Sequence, residues 1–104
     1  MQLEKKLQNE ILRKYGTCPR IRLWRQNTGA AKFGGQTVKF GVPGAADLSG
    51  ILPDGRRLEI EVKSPTGRLS ADQVAYGTMI TKFGGLYIVA HSIFDVDEFL
   101  GGYL

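Results

Sequence analysis

The sequence holds a single cysteine, Cys18, which excludes an intramolecular disulfide and any multi-cysteine zinc site. Cys18 reads as a small, partly buried apolar residue. Histidine is as scarce: His91 alone follows the last candidate strand, far in sequence from the acids, and reads as a strand-end or cap residue. Ser64, Thr66 and Ser70 have no histidine–acid pattern to activate them, so nucleophilic serine chemistry is set aside. No apolar run is long enough to span a bilayer, and the polar start Met1-Gln2-Leu3-Glu4-Lys5-Lys6 is not a signal peptide. A cytoplasmic setting with no membrane partner is the expectation. A Walker pattern is missing, and Gly41-x-x-Gly44 is too short for a dinucleotide fingerprint, so no nucleotide cofactor is expected. Repeats, linkers and low-complexity segments are also absent.

What is present fits one globular domain spanning 1–104, with 42% hydrophobic and 23% charged residues. A core of this size is thin, which makes a homodimer a reasonable expectation. The formal charge is +4, unevenly spread. Residues 1–82 carry all fourteen Lys and Arg against seven acids, whereas 83–104 carry only Asp95, Asp97 and Glu98. A basic body suggests a polyanionic partner, because neutralising phosphates releases counterions.

Apolar residues at Leu3, Leu7, Ile11, Leu12 and Tyr15 predict an amphipathic helix over 2–15, stopped by Gly16, with Arg13 and Lys14 in its last turn. Alternation predicts a strand over 20–26. Residues 27–35 read as a loop or hairpin, 36–40 as a second strand and 45–52 as a third. Pro53-Asp54-Gly55 is a strong turn signal, so the strand over 57–63 pairs with the third as a hairpin. Ser70 and Gln73 have capping-box spacing for a helix to about Lys82, with Val74, Met79 and Ile80 as core contacts. Leu86–Ala90 is a continuous apolar strand, expected to be central and covered on both faces. Ser92 or His91 opens a short helix through Phe99. The order α-β-β-β-β-α-β-α predicts an α/β fold, a mixed central sheet flanked by helices.

The chemistry concentrates at Asp47 and at Glu61-Val62-Lys63. Side chains alternate across a strand, so Glu61 and Lys63 share a face. The hairpin turn sets Asp47 on the neighbouring strand. Two carboxylates, with the Val62 carbonyl between the functional side chains, supply the oxygen ligands that Mg²⁺ or Mn²⁺ takes. Such a cation polarises a phosphate and lowers the pKa of a bound water, and the Lys63 ammonium would orient that water or stabilise developing charge. A bare acid-x-Lys is more often an exposed pair on an edge strand; here the hairpin and Asp47 raise its weight. Glu59 shares the face of Glu61 but lies two residues further from the strand end, where a solvated or Arg-paired role is expected.

Phe40-Gly41-Val42-Pro43-Gly44-Ala45-Ala46-Asp47-Leu48-Ser49-Gly50, then Ile60 through Ser70 and Gln73, resembles the virus-type replication-repair nuclease (VRR-NUC) domain. That family belongs to the restriction-endonuclease-like superfamily with its Pro-Asp…Asp/Glu-x-Lys signature. The likeness extends to the leading helix and to Trp24-Arg25-Gln26-Asn27-Thr28-Gly29, and so covers almost the whole chain. One departure is Ala46, where many relatives have a proline that shapes the backbone and does no chemistry.

The resemblance implies a restriction-endonuclease-like sheet and metal-dependent hydrolysis of DNA. Stand-alone phage-type relatives act on branched DNA such as Holliday junctions and form dimers. By position it implies Asp47 and Glu61 as metal ligands and Lys63 as the catalytic lysine. Glu10 falls where the superfamily often has an additional acid, and Gln73 where a helical glutamine often approaches the site. DNA contact would fall to Arg25, Asn27, Lys32, Lys39, Arg68 and Lys82, placed to position phosphates without reading sequence. The competing account is a non-catalytic DNA-binding or assembly module on the same fold. Trp24, Tyr76, Phe83, Phe94 and Tyr103 are the apolar candidates for a dimer surface.

Overall fold

A computed structural model describes residues 2–26 and 29–103. The chain folds as α1 (Gln2–Tyr15), β1 (Arg22–Arg25), β2 (Gly29–Phe33), β3 (Gln36–Phe40), β4 (Leu48–Ile51), β5 (Arg57–Val62), α2 (Ala71–Lys82), β6 (Leu86–Ala90) and α3 (Ile93–Leu100). The expected order gains a strand: residues 29–33 pair with 36–40 as an antiparallel hairpin and form a separate two-stranded sheet. The glycine and alanines of Gly29-Ala30-Ala31 gave little strand signal, and cross-strand pairing decides their conformation instead.

The main sheet has the order β1-β4-β5-β6. β1 and β4 are antiparallel, as are β4 and β5, and β6 joins β5 in parallel through the α2 crossover. The turn at Pro53-Asp54-Gly55 closes the β4–β5 hairpin, with Gly55 at φ 90° and its N–H bonded to Leu52 O. The fold is thus a mixed α/β sheet flanked by three helices.

One expectation about β6 fails. It is an edge strand, paired only with β5 in this sheet, and not a central one. Helices nevertheless pack against it from both sides, α2 on one and α3 on the other. The unbroken apolar run Leu86–Ala90 therefore reports two covered faces, which the sequence pattern cannot distinguish from two neighbouring strands.

The sheet divides the molecule into two unlike layers. Leu58, Ile60 and Val62 of β5, all fully buried, face α1 and α3 in a core that also holds Leu7, Ile11, Leu48, Ala90, Val96 and Leu100. α1 presents Leu7, Ile11 and Tyr15 to this core at helical spacing. It ends where Gly16 closes on Leu12 O; a Cβ there would stand 2.4 Å from that oxygen. The opposite face carries Ser49, Glu59 and Glu61, all buried, beneath α2.

α2 begins with the capping box as expected: Ser70 Oγ accepts from the Gln73 N–H, and Gln73 Oε1 accepts from the Ser70 N–H. Its packing face departs from expectation. Tyr76, Gly77 and Ile80 are buried, while Val74 is 52% and Met79 37% exposed. The helix turns Gln73, Tyr76 and Gly77 inward because the surface beneath is polar, and leaves two apolar residues in water. Tyr76 is consequently buried and unavailable as a docking surface, whereas Trp24, Phe83 and Phe94 are exposed. Among the described residues no helix is long and apolar enough to cross a membrane.

Candidate functional site

Asp47 sits at the bend entering β4, one residue before the strand. The β4–β5 register pairs Leu48 with Ile60 and Ser49 with Glu59, so one step further sets Asp47 opposite Glu61. Two backbone bonds fix it there: Asp47 O accepts from the Gln26 N–H at 2.8 Å, and Asp47 Oδ2 accepts from the Val62 N–H at 2.8 Å. Val62 thus holds the aspartate through its peptide while its side chain lies in the apolar core on the other face.

The turn before Asp47 reaches α2 backbone to backbone. Gly44 has φ 74°, and a Cβ there would stand 2.2 Å from Asp72 O and 2.7 Å from Gln73 N. Only glycine combines that conformation with that approach. Gly44 thereby docks this turn against the first turn of α2, which carries Gln73.

Glu61 is 3% exposed. Its Oε2 accepts from Gln73 Nε2 at 3.1 Å and lies 3.7 Å from Lys63 Nζ. Its Oε1 is buried without a hydrogen-bond partner. Burial first, and the charge of Asp47 second, push the Glu61 carboxyl up to about 8, with Lys63 opposing. Asp47 is raised as well, by burial above all. Both shifts run the way expected of two neighbouring carboxylates that share one ammonium, where full ionisation is disfavoured.

Glu4, which the sequence pattern did not single out, also bears on this pair. Its Oε2 accepts from the Ser64 N–H at 3.1 Å, and its charge raises both Asp47 and Glu61. The other α1 acid, Glu10, is exposed and lines a groove with His91, Ser64 and Phe94. Glu4 lies near the N-terminus of α1, six residues before Glu10; the resemblance points to Glu10, and apolar periodicity does not select between them. Only the angle at which α1 crosses the sheet does so. His91 Nδ1 lies 2.9 Å from Ser64 O, outside the acid pair.

The remaining candidates scatter. Arg25 is turned onto α1, with one guanidinium nitrogen bonded to Gln8 and another to Asn9 Oδ1 at 2.7 Å. Lys32 is exposed on the β2–β3 arm, Arg68 on the loop after β5, and Lys82 at the end of α2, where its ammonium lies 5.9 Å from the Phe83 ring centroid. Asn27 lies outside the described residues, and Lys39 is placed only by its backbone in β3.

Glu59, two residues before Glu61 on the same face, is neither solvated nor idle. It is fully buried and accepts from Ser49 Oγ, Tyr76 OH, Arg57 Nε at 2.9 Å and Gln26 Nε2 at 3.3 Å. The expected pairing with arginine is present, and with four donors around it no lone pair is left over for a cation. Glu59 is saturated and Glu61 is not, so chemistry is available at Glu61.

Among the described residues, no three or more His, Cys, Asp or Glu side chains converge closely enough to hold a metal ion by themselves. The pair Asp47 and Glu61 still fits a hard divalent cation that keeps most of its waters: two carboxylates converge, one oxygen is orphaned, and a cation would offset the mutual repulsion that raises both groups. Family models, curated proteins and solved structures each returned no match to this chain.

Proposed function

We propose that this chain is a Mg²⁺- or Mn²⁺-dependent DNA endonuclease of the VRR-NUC type, on a restriction-endonuclease-like variant of the α/β fold. The observation carrying the reading is the pair of half-buried Asp47 and buried Glu61, with Glu61 Oε1 unpartnered and Lys63 beside it. An acid pair with an unsatisfied buried oxygen is a poor structural element and a good cation site.

In this reading Asp47 and Glu61 hold the cation, with the Val62 peptide orienting Asp47 and Gln73 orienting Glu61. When bound, the cation supplies charge neutralisation at the phosphate and a water acidic enough to attack it. Lys63, with its side chain 15% exposed and its ammonium 3.7 Å from Glu61, stabilises the charge that develops on the scissile phosphate. Gln73 donates to Glu61 Oε2, which would leave Oε1 available to the cation. Glu4 adds negative charge from α1 and ties that helix to the segment after Lys63. Lys32, Lys39, Arg68 and Lys82 attract the polyanion. A homodimer would present two such sites, as cutting both strands of a branched DNA requires.

The experiment is cleavage of a four-way junction, a flap and a plain duplex with Mg²⁺, Mn²⁺ or EDTA. Metal-dependent cutting by wild type, lost in Lys63→Ala, is the expected result; equal cutting by both proteins refutes the assignment. The second reading is a DNA-binding module without catalysis on the same fold. That module would bind DNA equally in EDTA and would tolerate Asp47→Asn.

A further inference from the structure

The Glu59 cluster has no part in the chemistry above, yet it touches every element that carries it. Its four donors come from different places: Gln26 after β1, Ser49 in β4, Arg57 in β5 and Tyr76 in α2. Each is a short step from a residue of the acid pair or its partner. The Gln26 N–H donates to Asp47 O. Ser49 follows Asp47 by two residues on the same face, and Glu59 precedes Glu61 by two, about 7 Å along a strand. Tyr76 follows Gln73 by three, about one turn of helix. The cluster is also cross-linked: Gln26 Nε2 donates to Tyr76 OH at 3.2 Å, and Arg57 Nη2 to Ser49 Oγ at 3.0 Å.

A buried charge is a weak way to gain stability, because apolar packing of equal volume serves as well or better. Directed bonds to β5 from three other segments, β4, α2 and the residue after β1, do something that packing does not: they fix relative position. From this we infer that Glu59 is a positioning residue, which sets the spacing between Asp47 and Glu61 and the reach of Gln73, and thereby tunes the divalent-cation affinity of the pair. The inference rests on the proposed metal site and extends it to a residue that would never touch the metal. Groups that orient metal ligands from behind typically change affinity 10- to 100-fold when replaced.

The test is Mn²⁺ titration calorimetry on wild type, Glu59→Gln, Tyr76→Phe and Tyr15→Phe, each checked for folding by circular dichroism and melting. Glu59→Gln keeps the shape and removes the charge; Tyr76→Phe removes one donor and keeps the ring. Tyr15→Phe removes a hydroxyl bonded to Asp97 on the far face and serves as the destabilised control. Expected are Mn²⁺ affinities roughly 10- to 100-fold weaker for Glu59→Gln, several-fold weaker for Tyr76→Phe and unchanged for Tyr15→Phe. Lowered melting with unchanged affinity in folded Glu59→Gln would make the cluster merely structural and overturn the inference. Should Glu59→Gln not fold, Tyr76→Phe decides by the same criterion. Failure of wild type to bind Mn²⁺ removes the metal reading and this inference together, whereas binding that ignores Glu59 removes only the inference.

Discussion

The two faces of the four-stranded sheet are built on opposite principles. Toward α1 and α3, β5 presents Leu58, Ile60 and Val62, each fully buried among aliphatic neighbours. Toward α2, the alternate residues of the same strand are Arg57, Glu59 and Glu61. One strand of six residues thus separates an apolar layer from a polar one, in which Glu59 and Glu61 are buried and Arg57 is exposed. Burial on the first face is its own reward, since apolar area leaves water. On the second, every ion needs a partner, and among the described residues two buried oxygens, Glu61 Oε1 and Tyr87 OH, have none. In the proposed reading stability and chemistry fall on different sides of one sheet, and substitutions should separate them.

The largest expected effect lies on the ionic side. Lys63→Ala should lower metal-dependent cleavage by roughly 10²- to 10³-fold with the melting temperature almost unmoved, measured as single-turnover rates. The mirror substitution is Ile60→Ala, which should cost about 2–5 kcal/mol of unfolding free energy in a urea titration while leaving Mn²⁺ affinity of the folded protein unchanged. If Lys63→Ala proved as destabilising as Ile60→Ala, the two faces would not be functionally distinct.

A smaller effect separates the faces by pH. The Glu61 carboxyl is raised above its unfolded value to about 8. A raised pKa contributes stability that is complete below the unfolded value and lost as pH climbs through the folded one. Metal-free protein in EDTA should therefore lose stability between about pH 4.5 and 8, by at most about 1.4 kcal/mol per pH unit, and Glu61→Gln should flatten that slope. On the other face Asp97 is lowered by its bonds to Lys14 and Tyr15, so its contribution runs the opposite way and fades as acid protonates it. Melting followed by circular dichroism across pH reads both. The smallest effect belongs to the apolar residues that α2 leaves in water: Val74→Ser should change stability by no more than about 0.5 kcal/mol.

Local chemistry made much of this fold legible. Pro53-Asp54-Gly55 gave the hairpin, Ser70 and Gln73 gave the start of α2, and Gly16 gave the end of α1, because each signal acts within a few residues. Asp47, Glu61 and Lys63 followed from the same hairpin together with strand alternation. What escaped depends on distant packing. The inward face of α2 looked apolar at Val74 and Met79, but the sheet beneath it is charged, and that charge sits in another segment. β6 looked central because composition counts covered faces and not neighbouring strands. For Glu59 the pairing with Arg57 was legible, because that donor is two residues away, whereas Gln26, Ser49 and Tyr76 lie in distant segments, out of view along the sequence. Glu4 was passed over because its nearness to the acid pair is a property of helix orientation alone.

Gly44 lies in neither face, and it bears on how the site tolerates change. In a saturation library, positions around the acid pair should accept replacements according to chemistry: an amide for a carboxylate would fold and fail to act. Gly44 should behave differently. Any side chain there has to push Asp72 O and Gln73 N aside, which would separate the turn bearing Asp47 from the helix bearing Gln73. The mutational fingerprint of this region is then one position intolerant to every substitution, though its residue offers no functional group at all, beside several intolerant only to loss of charge.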